Sequence, residues 1–216
     1  MKHNKDLSAM REDYTKGVLM EDSAATDPIV QFRRWMDQAI AANVIEPNAM
    51  TLSTIDSDGS PDARIVLLKG ISDGAFVFYT NYESPKAQQM AAEDRVCLTF
   101  LWKAVQQQIR ITGTVAKVSA EESDAYFDSR PKGSRIGAWA SPQSQVIEGR
   151  ELLDANLAQL SEQYATQEKV PRPPHWGGYA VTPTTIEFWQ GRSSRLHDRL
   201  LYSKSDGHWT IRRLAP

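Results

Sequence analysis

Arg195, His197 and Arg199 recur at every second residue of Arg195-Leu-His-Asp-Arg199, just beyond Trp189-Gln190-Gly191. On a strand over 195–204 all three point to one face, spread over roughly 13 Å at ~3.3 Å per residue. Cations in such a row repel one another unless something anionic or π-rich faces them. A solvated edge strand whose charges discourage aggregation accounts for the same pattern. The adjacent Trp189 and the flanking glycine tilt the reading toward a site for a flat, charged ligand.

Three other groupings have the chemistry of anion binding. Tyr126 and Arg130 stand one helical turn apart, and a Pro131-Lys132-Gly133 turn lets Ser134 join them. A phenol, a guanidinium and a hydroxyl that converge make a phosphate site; a helix C-terminus with Arg countering the dipole explains them equally simply. Tyr79-Thr80 ends a strand, and Ser84-Pro85-Lys86 opens a helix whose free N–H groups, aided by Lys86, suit phosphate, although plain capping by Ser84 suffices. Arg64-Ile-Val-Leu-Leu-Lys69 is apolar on both faces between two cations. It is a strand covered on both sides, by core and by a helix or partner, or one whose charges mark its ends. Gln108, Gln143 and Ser144 have no reading by themselves.

Composition narrows the classes. The 216 residues, 41% hydrophobic and 24% charged, are ordinary for a globular chain. A net charge of −2 offers no global field for nucleic acid or membrane, so neither is an expected partner. Met1–Gly17 has no apolar core segment of a leader, and Cys97, the single cysteine, allows no internal disulfide and reads as a small buried hydrophobe. A cytoplasmic setting is expected. There is no Gly-x-Gly-x-x-Gly, no P-loop, no metal-ligand spacing among His3, His175, His197 and His208, and no nucleophile elbow.

The elements that must position these residues are mostly strands. Asp58-Gly59, Asp73-Gly74 and Asp206-Gly207 each separate strand-like runs, a strong hairpin signal. The first two predict a three-strand meander over 50–55, 63–69 and 75–80. Further strands are expected at 95–102, at 105–118 with a bulge or bend at Gly113, at 179–181 and 185–189, and at 199–204 and 208–212. Helices are expected from Asp27-Pro28, from Ser84-Pro85 to about 92, from a Ser119/Glu122 capping box to about 129, and along Leu153, Leu157, Leu160 and Tyr164. The class is mainly β, an antiparallel β-barrel with peripheral helices.

Taken together, several stretches resemble the pyridoxine/pyridoxamine 5'-phosphate oxidases, flavoenzymes that complete pyridoxal phosphate synthesis. They are Arg-Glu-Asp-Tyr-Thr-Lys-Gly at 11–17, Arg-Ile-Val-Leu-Leu-Lys at 64–69, Phe-Tyr-Thr-Asn at 78–81, Tyr-Phe-Asp-Ser-Arg-Pro at 126–131 and Ser-Arg-Ile-Gly-Ala-Trp at 134–139. Trp-Gly-Gly at 176–178, Glu-Phe-Trp-Gln-Gly at 187–191, Arg-Leu-His-Asp-Arg at 195–199 and the terminal Arg-Leu-Ala-Pro complete the set.

The resemblance implies an FMN-binding split barrel, Greek-key-like, working as a homodimer with FMN at the subunit interface. It implies an N-terminal segment, 1–25, partly flexible and closing over the active site, and a single barrel domain over 26–216. It assigns FMN to Arg64, Ile65, Val66, Leu67, Leu68, Lys69, Tyr79, Thr80, Lys86, Gln108, Gln143, Ser144, Trp189 and Arg199. It assigns the substrate to Arg11, Tyr14, Lys69, Tyr126, Arg130, Ser134, Arg195 and His197, the last two being catalytic. Two positions depart from the family pattern: Pro85 and Gln107 stand where Arg is usual, each removing a cation near the flavin.

The implied reaction oxidises pyridoxine 5'-phosphate or pyridoxamine 5'-phosphate to pyridoxal 5'-phosphate. Hydride passes to the flavin, and O2 reoxidises it with release of H2O2, and of NH3 from the amine. Two alternatives remain: a related oxidase acting on another ring, as in phenazine pathways, and a non-catalytic binder of flavin or pyridoxal phosphate.

Overall fold

A computed structural model describes residues 6–216. His3 and the start of the N-terminal segment expected to close over the site, residues 1–5, lie outside the described residues. Nine strands join in one sheet, in the order β2 (Pro61–Leu67), β1 (Ala49–Ile55), β5 (Arg95–Trp102), β6 (Gln107–Lys117), β7 (Trp176–Gln190), β4 (Ala75–Asn81), β3 (Gly70–Ser72), with β8 (Asp198–Ser205) paired to β7 and β9 (His208–Arg213) to β8. The chain divides into two compact units, one of Met1–Pro47, Thr99–Ile111 and Thr184–Pro216 and one of Asn48–Leu98 and Thr112–Pro183. Three strands, β5 (Arg95–Trp102), β6 (Gln107–Lys117) and β7 (Trp176–Gln190), contribute residues to both. Among the described residues no helix is long and apolar enough to cross a membrane.

In the second unit, β1 (Ala49–Ile55) pairs antiparallel with β2 (Pro61–Leu67), and β3 (Gly70–Ser72) with β4 (Ala75–Asn81), which in turn pairs with β7. The expected meander is corrected here: β2 does not continue into a pairing with β4. At Leu68–Lys69 the chain changes partner, the Leu68 N–H donating to Asn48 O and the Lys69 N–H to Val77 O, both at 2.8 Å. One apolar run is thus split into two strands that stand at opposite ends of the sheet path. Leu52, Phe76, Phe78, Leu98 and Val181 fill the interior. Val96, Leu98, Phe100 and Trp102 point inward along β5, so Cys97 falls on the other face and is half-buried, not fully buried as expected. At the helices α4 (Lys132–Ala140) and α5 (Arg150–Gln163) a satellite cluster of Ile136, Tyr164 and Val170 is joined by Trp139 and Leu160.

In the first unit, Asp27 caps α1 (Pro28–Ala41) by accepting the Ile29 N–H at 2.8 Å. The helix buries Phe32 edge-on against Phe100 and Trp35 edge-on against Phe188. β8 (Asp198–Ser205) and β9 (His208–Arg213) form a hairpin around Asp206 (φ 51) and Gly207 (φ 80). Asp73 (φ 49) and Gly74 (φ 78) make the same two-residue turn in the other unit, while between β1 and β2 only Gly59 is left-handed, in a longer loop. The strand expected over 195–204 is also corrected: Ser193–Arg195 is a 3-10 turn, and β8 begins only at Asp198.

Gly113, expected as a bulge or bend, lies within β6. A Cβ there would lie 2.1 Å from Thr182 O, so the residue is needed where β6 and β7 backbones approach closely. Gly113→Ala should destabilise the protein by at least ~1–3 kcal/mol, the usual cost of overpacking, measurable by urea unfolding; an unchanged midpoint would refute the close-approach account.

Candidate active site

Eleven of the residues singled out from the sequence line one hollow of about 480 Å³ in the second unit. β2 and the bend after it supply Ile65, Val66, Leu67 and Lys69; β4 supplies Tyr79 and Thr80; α2 (Pro85–Ala92) supplies Lys86 from its first turn. α3 (Ala120–Ser129), capped by Ser119 accepting the Glu122 N–H at 3.1 Å, brings Tyr126 and ends so that Arg130 leaves the helix in an extended conformation (φ −74, ψ 149). Where a turn was expected after Arg130, Pro131 starts α4, and Ser134 sits in its first turn. Gln143 completes the set, its Oε1 accepting from the Thr80 hydroxyl at 3.3 Å.

The lining contains three cations, Lys69, Lys86 and Arg130, and no carboxylate. Arg130 lies 4.6 Å above the Trp176 ring, and its buried Nη1 has no hydrogen-bond partner. Burial pushes its pKa down, because desolvation disfavours the charged form. Burial, and then repulsion from Arg64, lowers Lys86 as well. Its ammonium reaches the Ser84 hydroxyl at 3.3 Å; that hydroxyl donates to Asn81 O, so Ser84 does not cap α2 with its side chain as expected. Tyr79 and Tyr126 stack at 3.8 Å, with Trp176 parallel to Tyr79 at 5.5 Å. Burial raises the Tyr79 phenol to about 12, which keeps it a neutral donor. Trp176, quoted in a motif but given no role, is the lining residue that spacing could not assign.

Three expected FMN residues lie elsewhere in this unit. Leu68 is buried in the core. Ser144 is exposed in a left-handed conformation (φ 67) and does not line the hollow. Arg64 is engaged internally: it donates to Leu52 O (3.1 Å), Thr54 Oγ1 (2.6 Å) and Gln89 Oε1 (3.0 Å) and pairs with Asp62.

The first unit has a hollow of about 620 Å³ that includes Arg11, Tyr14, Arg192, Arg195 and His197. A recess of about 330 Å³ shares Tyr14 and adds Gln108 and Trp189. Ser194 (φ 56) and Arg195 (φ 61) are consecutive left-handed non-glycine residues, a strained arrangement characteristic of binding loops. His197 lies against Trp189, centroids 4.5 Å apart, and accepts the Arg192 N–H at Nδ1 (3.1 Å). A neutral imidazole held this way carries its proton on Nε2. Burial and then Arg195 lower its pKa, which favours that neutral form.

Arg199 stands directly opposite Trp189 in the β7–β8 register. Its Nε donates to the buried Glu187 at 2.8 Å and its Nη1 to Ala215 O at 2.8 Å. A charge network that sequence spacing did not disclose braces the loop: Asp198 accepts from Arg192 (2.8 Å), Arg213 (2.9 Å) and the Leu19 N–H (3.1 Å), and Arg213 also pairs with Glu21. Gln107 points away from its neighbour Gln108 and donates to Gln38 (3.0 Å) and Gln190 (3.1 Å), so its side chain serves the interior.

Residues 36–189 match the family model described as pyridoxamine 5'-phosphate oxidase, and residues 176–216 match the C-terminal dimerisation region of pyridoxine 5'-phosphate oxidase. The pyridoxine/pyridoxamine 5'-phosphate oxidase of Bordetella petrii is 57% identical over 211 residues, 97% of this chain and 99% of that protein. The chain belongs to the pyridoxine/pyridoxamine 5'-phosphate oxidase family. The Synechocystis sp. member is 54% identical over 97% of this chain and 98% of its own length. Among solved structures, PhzG of Burkholderia lata in complex with tetrahydrophenazine-1-carboxylic acid superposes with a TM-score of 0.86 at 32% identity, covering 92% of this chain and 98% of that one. A pyridoxamine 5'-phosphate oxidase-related, FMN binding protein from Nostoc punctiforme shares the fold at a TM-score of 0.69 and 16% identity, covering 86% and 97%.

FMN is the cofactor of this oxidase family, and the donor set fits it: the Lys86 ammonium, the Thr80 hydroxyl and the Gln143 amide in a carboxylate-free hollow match a phosphate. Pro85, at the first position of α2, leaves the N-terminal N–H groups and Lys86 in place.

The exposed Glu21 carboxyl is held at about 2, below its ordinary 4.5, first by the hydrogen bond from Arg213. A depressed folded-state pKa contributes stability that is complete above about pH 4.5 and lost as pH falls toward 2. Glu21→Gln should therefore lower Tm at neutral pH, and its gap from the parent should close on acidification; a gap independent of pH would rule out the ion pair as the cause.

Proposed function

We propose that this oxidase acts on pyridoxine 5'-phosphate and pyridoxamine 5'-phosphate, producing pyridoxal 5'-phosphate, with O2 as the final electron acceptor. The observation that carries this reading is the half-buried Arg130, whose buried Nη1 has no hydrogen-bond partner, in a hollow lined by cations and hydroxyls. A buried charge left that way is costly unless an anion completes it.

Lys69, Tyr126, Arg130 and Ser134 hold the substrate phosphate; Lys86, Thr80, Gln143 and Tyr79, with the β2 residues Ile65, Val66 and Leu67, serve FMN. Gripping the unreactive phosphate turns binding energy into alignment of the reacting carbon. FMN, when bound, supplies the two-electron acceptor that no side chain here can provide. Arg195 and His197 address the pyridine ring. With Nδ1 occupied by the Arg192 N–H, His197 presents Nε2–H as a donor, and Arg195 adds fixed positive charge where negative charge develops on the ring. Trp189 and Gln108 form a flat wall for the second ring system, Arg11 and Tyr14 cover the substrate, and residues 6–25 form the closing segment.

The dimerisation region over 176–216 supports a homodimer. Placing FMN at the subunit interface is supported by apolar side chains left in water on the described chain: Ile65 at 65% exposure and Leu101 at 65%. The cytoplasm is the compartment this reading favours, since a lone cysteine leaves no internal disulfide to require an oxidising one. PhzG favours a second reading, a ring substrate without phosphate, but leaves the cation cluster around Arg130 without a counterion.

Under anaerobic conditions the yellow FMN-loaded protein should bleach on adding pyridoxine 5'-phosphate and stay yellow with unphosphorylated pyridoxine; equal bleaching by both would defeat the phosphate reading. Arg130→Ala should raise KM roughly 10–100-fold with kcat little changed, the scale of one charged hydrogen bond. Arg195→Leu should cut kcat by about 10²–10³ while FMN stays bound, and near-normal turnover would remove it from the mechanism.

A further inference from the structure

Residues 10–18, which carry Arg11 and Tyr14, form no helix or strand and bury no apolar side chain. An ordering cost of ~1–2 kcal/mol per residue must be met by contacts elsewhere. Much of that contact falls on one side chain. The N–H groups of Thr15 and Lys16 both donate to Gln106 Oε1, at 2.9 and 3.0 Å, filling both lone pairs of that carbonyl. Gln106 is itself 8% exposed and left-handed (φ 58, ψ 40), at the end of the 3-10 turn Lys103–Val105. Its backbone carbonyl accepts the Gly191 N–H at 2.8 Å. The residue therefore bonds the N-terminal segment with its side chain and the Gly191 turn with its main chain.

Tyr14 is what these two bonds bring together. Its ring rests on Gly191, where a Cβ would lie 2.8 Å from the ring Cγ, and it stands 5.8 Å from the centroids of both Trp189 and His197. The Lys16 ammonium adds a bond to Ala104 O of the same turn at 2.9 Å.

We propose that Gln106 is a positioning residue: its side-chain carbonyl latches the 14–16 backbone and thereby sets Tyr14 and Arg11 over the substrate. This rests on reading Arg11, Tyr14 and His197 as substrate residues. The latch needs an acceptor at the reach of a Gln side chain, so Glu satisfies it and Asn, one methylene shorter but equally tolerant of the left-handed backbone, does not.

The test compares Gln106→Asn with Gln106→Glu in the FMN-loaded full chain, reading trypsin cleavage after Arg11 and Lys16 together with KM, kcat and FMN affinity. Losing two hydrogen bonds should speed cleavage and raise KM about tenfold in Gln106→Asn, with kcat and FMN affinity within about twofold, and Gln106→Glu should behave as the parent. Thr15→Pro removes one donor from the exposed side and should shift cleavage and KM in the same direction, which keeps the question decidable if Gln106→Asn folds poorly. Parent-like cleavage in Gln106→Asn overturns the latch. Equal impairment of Gln106→Asn and Gln106→Glu also overturns it, by assigning the effect to packing. Faster cleavage with unmoved KM overturns the proposal differently: the latch then exists, and the substrate role of Arg11 and Tyr14 fails.

Discussion

Lys69, Lys86 and Arg130 are gathered around one hollow without a carboxylate among its walls, and this unbalanced charge governs how the second unit is organised. Burial opposes the cationic forms of both Lys86 and Arg130, and repulsion from Arg64 lowers the Lys86 pKa further. The fold tolerates this because each side chain is carried by a different, separately stabilised element: the bend after β2, the first turn of α2, the end of α3. Arg64 adds to the positive field while its own donors are satisfied by Leu52, Thr54, Gln89 and Asp62. In the function proposed above, a phosphate supplies the missing counter-charge.

Counterions separate two kinds of basic residue in this chain. Arg192, Arg199 and Arg213 each face a carboxylate, Asp198, Glu187 and Glu21 among them, and these pairs hold backbone segments together. Arg130 and Lys86 face no carboxylate in the hollow. Arg199, which by spacing belonged with Arg195 and His197, meets Glu187 on the neighbouring strand at 2.8 Å.

The loop at 192–197 shows how local strain is held in place. Two left-handed residues in succession are unfavourable for side chains with a Cβ. They persist because Asp198 anchors Arg192 from one end and the His197 ring accepts the Arg192 N–H from the other. The imidazole tautomer is thereby a consequence of backbone geometry, not of a neighbouring acid.

Much of this was legible in the sequence. Helix caps at Asp27 and Ser119, the two-residue turns at Asp73-Gly74 and Asp206-Gly207, and the strand over 95–102 are local signals, because φ preferences and side-chain period act within a few residues. The motifs around Lys69, Tyr126, Arg130 and Ser134 were likewise enough to nominate residues that line one hollow. What only the tertiary structure decided depends on partners distant in the chain. The exchange of partner at Leu68–Lys69 split an expected meander, Glu187 became the partner of Arg199, and Thr182 made Gly113 a point of close approach. Gln106 gained its two donors from residues some ninety positions away. Spacing along a strand says which way a side chain faces; only the folded chain determines what it meets there.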